Sequence, residues 1–125
     1  MTTVNVTEGI LAKLYDITVQ QGSDFNLTVL YKDSSGSPIT TLDGTAELQA
    51  RSWSGSSSKI IELDESDGLT IDASKGEITI FIAAATTAAL TAPANLVYDM
   101  EAGLDTDLKV RLMEGQCLVS ANVTR

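Results

Sequence analysis

The chain has 125 residues, 43% of them apolar and only 5% aromatic, with seventeen acidic and eight basic side chains giving a net charge of −9. That length suits one domain with a core of Val, Ile, Leu and Ala rather than of rings. The charge repels phosphate backbones and anionic lipid, so nucleic acid and membrane are not expected partners, and the absence of histidine removes the usual acid/base and the commonest transition-metal ligand.

Residues 1–11 are expected to form an N-terminal arm and residues 12–125 the domain. MTTVNVTEG has neither the basic region nor the apolar run of a signal peptide, and no stretch reaches the roughly 18 apolar residues of a membrane span. The first strand is predicted over Ala12 to Gln20, followed by a turn at Gln21 to Asp24. In FNLTVLYKD, Phe25, Leu27, Val29 and Tyr31 alternate with Asn26, Thr28 and Lys32, which is a strand with one face on a core. These two strands are expected to pair as a hairpin.

A turn at Ser34 to Pro38 precedes a strand over Thr45 to Trp53, with Ala46, Leu48 and Ala50 inward and Glu47, Gln49 and Arg51 outward. Ser54 to Ser58 reads as a flexible loop. Short strands over Lys59 to Leu63 and Gly68 to Ala73 flank the acidic turn DESDG, and Ile78, Ile80 and Ile82 share one face of the next. The alanine-rich segment before Pro93 permits one short helical turn near residues 84–91. Strands over Leu96 to Ala102, Leu108 to Glu114 and Gln116 to Val123 complete the chain. Eight or nine short strands at this spacing predict an all-β sandwich or Greek-key barrel.

No catalytic constellation stands out. Without histidine, a nucleophile would need a lysine or carboxylate base, and no local motif supplies one. Cys117, flanked by Gln116 and Leu118, reads as a partly buried small apolar residue, and a lone cysteine cannot form an intramolecular disulfide. The pairs Asp64/Glu65 and Asp105/Asp107 lie in turns and lack the aromatic cleft of a glycosidase. Their loops offer oxygens to calcium but not the EF-hand spacing, so no cofactor or metal is expected. N-x-T triplets at Asn5, Asn26 and Asn122 are ordinary strand composition. Trp53, outward beside the serine loop, suits either an interface anchor or a cap on the end of the sandwich.

YDITVQQGSDF, YKDSSGSPI, LDGTAELQARS, GLTIDASKGEITIFI with TTAAL, NLVYDMEA, LKVRLMEGQCLVS and NVTR occur in that order. Together they resemble a group of small tailed-bacteriophage virion proteins related to the N-terminal module of phage baseplate upper proteins. The resemblance covers Leu14 to Arg125 and rests on turns and strands: Gly22 with Asp24, Gly36 with Pro38, Leu42 with Gly44, Tyr98 with Asp99, and Gly115 as a break before the last strand. PITTLDG has more residues between Pro and Leu than the usual pattern, and LDTDLK lacks the glycine often found in that hairpin.

The resemblance implies a single immunoglobulin-like β-sandwich. It also implies a non-enzymatic virion structural protein, made in the host bacterial cytoplasm and placed in the tail or baseplate, where it links the tail body and fibres or neighbouring subunits. Its partners would be other virion proteins and further copies of itself, with Trp53, Tyr98 and Tyr15 as candidate interface residues. A capsid decoration protein is the alternative. A carbohydrate-binding module, stacking sugars on Trp53, Tyr31 or Tyr15, is the other.

Overall fold

A computed structural model describes residues 2–9, 11–105 and 107–124. Among the described residues ten strands form two sheets: β1 (Thr2–Thr7), β2 (Lys13–Leu14), β3 (Ile17–Gln20), β4 (Phe25–Lys32), β5 (Leu42–Arg51), β6 (Ile61–Asp64), β7 (Leu69–Asp72), β8 (Glu77–Ile82), β9 (Ala94–Leu104) and β10 (Lys109–Ser120). The first sheet runs β1-β4-β8-β7. The second runs β10-β9-β5-β6, with β2 and β3 both added to the outer side of β10. The inner faces of both sheets belong to one apolar core, so the chain is all-β with two layers.

Alternation accounts for most of that core. Leu27, Val29 and Tyr31 of β4 are buried, and their neighbours on β8, Ile80 and Ile78, are buried opposite Leu27 and Val29. In the second sheet Ala50 faces Tyr98 and Leu48 faces Met100, so a small side chain leaves room for the ring. Leu112 and Met113 are adjacent yet both buried, because a bulge between Arg111 and Met113 turns two successive side chains inward.

Three departures from the sequence reading concern pairing. The strand expected over 12–20 is split into β2 and β3, and neither pairs with β4; both run parallel to β10, in the other sheet. Turn residues 21–24 therefore cross between layers instead of closing a hairpin. Residues 2–7 of the expected arm form β1, parallel to β4, with Val4 beside Val29 and Val6 beside Tyr31. Both valines are 3% exposed, a burial worth roughly 1.5–3 kcal/mol each before entropy. Finally, β10 passes through Gly115 without a break.

The short helix α1 (Ala84–Ala88) has five residues, too few to persist on helix propensity alone. It is held by the turn between β3 and β4. The Ala84 N–H donates to Asp24 Oδ1 at 2.7 Å, and the Gln21 side chain donates to the Leu90 carbonyl at 2.9 Å. Thr87, fully buried, accepts from the Gly22 N–H at 3.0 Å and donates to the Ser23 carbonyl at 2.8 Å.

Candidate interaction surface

The acidic turns are explained by local geometry. Asp64 Oδ1 accepts from the Ser66 N–H at 2.9 Å and its hydroxyl at 2.7 Å. Asp33 does the same with Ser35 and also takes the Ser37 N–H, and Asp43 binds both donors of Thr45. In each case hydroxyl and amide donors hold the carboxyl below its usual range, the side-chain bond being the largest cause. The shared signature is Asp-x-Ser/Thr, which forms an Asx turn by itself. Among the described residues no group of three or more acidic or cysteine side chains is placed to hold a metal ion. The second expected pair lies in the β9–β10 turn, where Asp107 N–H donates to the Leu104 carbonyl at 3.1 Å and φ is +61°. Asp107 thus occupies the left-handed conformation, which glycine adopts most readily and aspartate tolerates better than most residues.

Of the candidate interface residues, only Trp53 stands well clear of the body, 63% exposed. A closed turn in which the Ser56 N–H donates to the Trp53 carbonyl at 3.0 Å holds it there, and the Arg51 guanidinium donates to the Ser56 carbonyl. The loop expected to be flexible therefore starts with a braced turn. Its Gly55 lies under the indole, leaving no space for a Cβ.

Tyr98 is not a surface residue. It is buried on the inner face of β9, and its hydroxyl donates to the Tyr15 carbonyl between β2 and β3. Burial, then the neighbouring Cys117, Asp16 and Tyr15, raises its pKa. Tyr15 is half-buried and serves chiefly through its backbone: its N–H donates to the Glu114 carbonyl at 2.9 Å. Tyr31 is buried as well, which removes it from any sugar-stacking role.

Gly115 explains this arrangement. A Cβ there would lie 2.7 Å from the Tyr15 carbonyl oxygen and 2.8 Å from Asp16 Oδ1. The glycine lets the Tyr15–Asp16 corner sit against β10, where Asp16 Oδ1 accepts the Gln116 N–H at 2.9 Å. The expected strand break is a seat instead. Cys117 is fully buried nearby, and burial pushes its thiol up to about 11, so at neutral pH it is an inert thiol.

What the surface offers is apolar side chains beside open sheet edges. Leu11 and Leu14 are exposed at the β2 edge. Ile60 and Phe81 are exposed where β6 borders the end of β8. On the outer face of the second sheet, Val97 and Leu118 stand out on neighbouring strands, and Arg111 lies between Asp99 and Glu114 at 3.5 and 3.4 Å. Those exposed ion pairs contribute little to stability. Comparison with known protein families and with curated proteins gives no match.

Proposed function

We propose that this chain is a non-enzymatic structural protein of a tailed-bacteriophage particle, placed in the tail or baseplate and joined there to neighbouring subunits. The observation that carries the reading is the set of large apolar side chains exposed beside sheet edges, Leu11 and Leu14 at β2, and Ile60 ahead of β6 with Phe81 of β8 across the groove from it. Soluble monomers usually blunt such edges with charge, proline or a covering loop, whereas assembly modules use them for contact. The ordered set of turns and strands quoted above supports the virion context.

Strand order supports the finer reading of an immunoglobulin-like, Greek-key sandwich. The β4-β8-β7 sheet packs on a β10-β9-β5-β6 sheet, consecutive strands cross between layers at three connections after β4, and β3 lies parallel to β10. Such a body presents rigid strands and tight turns, which suits passive linkage.

The test is cryo-electron microscopy of purified particles of a phage that encodes the chain, with mass spectrometry of the same preparation. Density in the tail or baseplate is the expected result. Density confined to the shell would replace the tail assignment with capsid decoration, and absence from the particle would overturn the reading.

A further inference from the structure

On the side of the molecule away from β10, a groove of about 390 Å³ opens between β6 and the end of β8. Its β6 wall is formed by Ile60, Ile61, Glu62 and Leu63 in succession. Side chains of a strand alternate between faces, so four consecutive residues line one groove only when it runs along the backbone edge. That edge is open over Ile61 to Leu63: among the described residues β6 pairs along its length with β5, and on its other side only its last residue, Asp64, is bridged, to Gly68. Across the groove, β7 accompanies β8 only as far as Leu69 opposite Ile80, with one further bond from the Phe81 N–H to the Gly68 carbonyl at 2.8 Å. Ile82 and Ala83 run on beyond it.

Its lining includes two exposed large apolar residues, Phe81 at 43% and Ile60 at 41%. The rim is acidic: Glu62 and Asp67 line it, and Glu65 lies in the same turn. Lys59, which precedes β6, is paired with Glu62 at 2.8 Å.

We infer that this groove docks an extended segment of a different, basic partner protein, added as a strand along β6. Its alternate apolar side chains fill the groove over Phe81 and Ile60, and its Lys or Arg residues meet Glu62 and Asp67. A strand is the fitting occupant because one wall is a backbone edge with groups to pair, which a helix leaves unpaired. A second copy of this chain is a poor occupant, since it brings a further charge of −9 to an acidic rim. The inference rests on the reading of the chain as an assembly module and specifies one of its contacts.

A displayed library of ten-residue segments, selected on the purified protein, tests it. Enriched segments are expected to alternate apolar residues and to carry Lys or Arg. They should bind at least about tenfold more weakly to Glu62→Lys and to Phe81→Thr, and should slow hydrogen exchange at Glu62. Both substituted positions are at the surface, and an unchanged melting curve confirms that each variant folds. Absence of enrichment, enrichment of acidic segments, or binding indifferent to both substitutions would overturn the inference. A chain found in the particle that selects no segment keeps the proposed function and loses this contact. A chain absent from the particle that selects such segments does the reverse.

Discussion

Gly115→Ala is the smallest change that tests how β2 and β3 are seated. The φ of Gly115 is not in the left-handed region, so alanine meets no backbone penalty and the effect isolates contact. Its Cβ would lie 2.7 Å from the Tyr15 oxygen and 3.0 Å from the Tyr15 carbonyl carbon, where carbon atoms at rest sit roughly 3.5–4.0 Å apart. Both obstacles are backbone, so the Tyr15–Asp16 corner must retreat. Withdrawal breaks the Tyr98 hydroxyl bond, and an unsatisfied buried hydroxyl costs about 1–3 kcal/mol. Loss of the exposed Gln116–Asp16 bond adds about 0.5–1 kcal/mol. Replacing glycine reduces unfolded-state entropy and returns about 0.5–1 kcal/mol.

The net expectation is a loss of about 2 kcal/mol, or roughly 6–10 °C in melting temperature for a domain of this size. Urea denaturation of wild type, Gly115→Ala, Tyr98→Phe and the double variant closes a cycle. Because Gly115→Ala has already broken the hydroxyl bond, Tyr98→Phe should cost about 1–2 kcal/mol alone and little in the double variant. Additive losses, or a Gly115→Ala variant within about 0.5 kcal/mol of wild type, would refute the seating argument.

Thr87→Val keeps shape but strands the Gly22 N–H and the Ser23 carbonyl, so a loss of about 1–3 kcal/mol is expected in denaturant titration. Asp107→Val at φ +61° should cost about 1–2 kcal/mol whereas Asp107→Gly should not destabilise, both read from melting curves. Cys117 should resist a thiol reagent at pH 8 in the native protein and react within minutes in urea; rapid native labelling would contradict its burial. Cys117 and Tyr98 both have raised folded-state pKa values, so unfolded chains lose these protons first. Stability should therefore hold below about pH 9 and fall as pH rises towards 11, most simply followed by melting temperature against pH.

Faces were legible in the sequence, and partners were not. Alternation marked Leu27, Val29 and Tyr31 on β4, Ala46, Leu48 and Ala50 on β5, and Ile78, Ile80 and Ile82 on β8, because a period of two reports which side meets the core. The same period says nothing about which strand lies alongside, so the sequence alone pairs β3 with its chain neighbour β4, whereas it lies beside β10. Val4 and Val6 carried the alternation too, but two valines among threonines in a terminal segment give a weak signal until β4 supplies a ladder. The candidate surface was less legible. Trp53 stood out by type and neighbours, whereas the groove is made by Ile60, Phe81 and Leu90, residues far apart in the chain that only the crossing between layers brings together. Thr87 was hidden in an alanine-rich run. The Asp-x-Ser/Thr repeats, by contrast, are open to sequence inspection: Asp64 reads as a turn residue from the sequence, and the same pattern marks the bend at Asp33 and the irregular start of β5 at Asp43.

The parallel attachment of the N-terminal stretch has a mechanical meaning. β1 lies parallel to β4, and β2 and β3 lie parallel to β10. Tension that enters ahead of β3 and leaves beyond β10 pulls the two strands in opposite directions along their length. The cross-strand bonds then lie across the load and share it, instead of opening one at a time from an end. The four pairs from Ile17–Cys117 to Gln20–Ser120 act as a shear clamp in series with the six of β1. Single-molecule stretching between the two termini should give one high-force rupture, and shortening the β3 ladder with Thr18→Pro should lower that force without altering the β5–β9–β10 sheet.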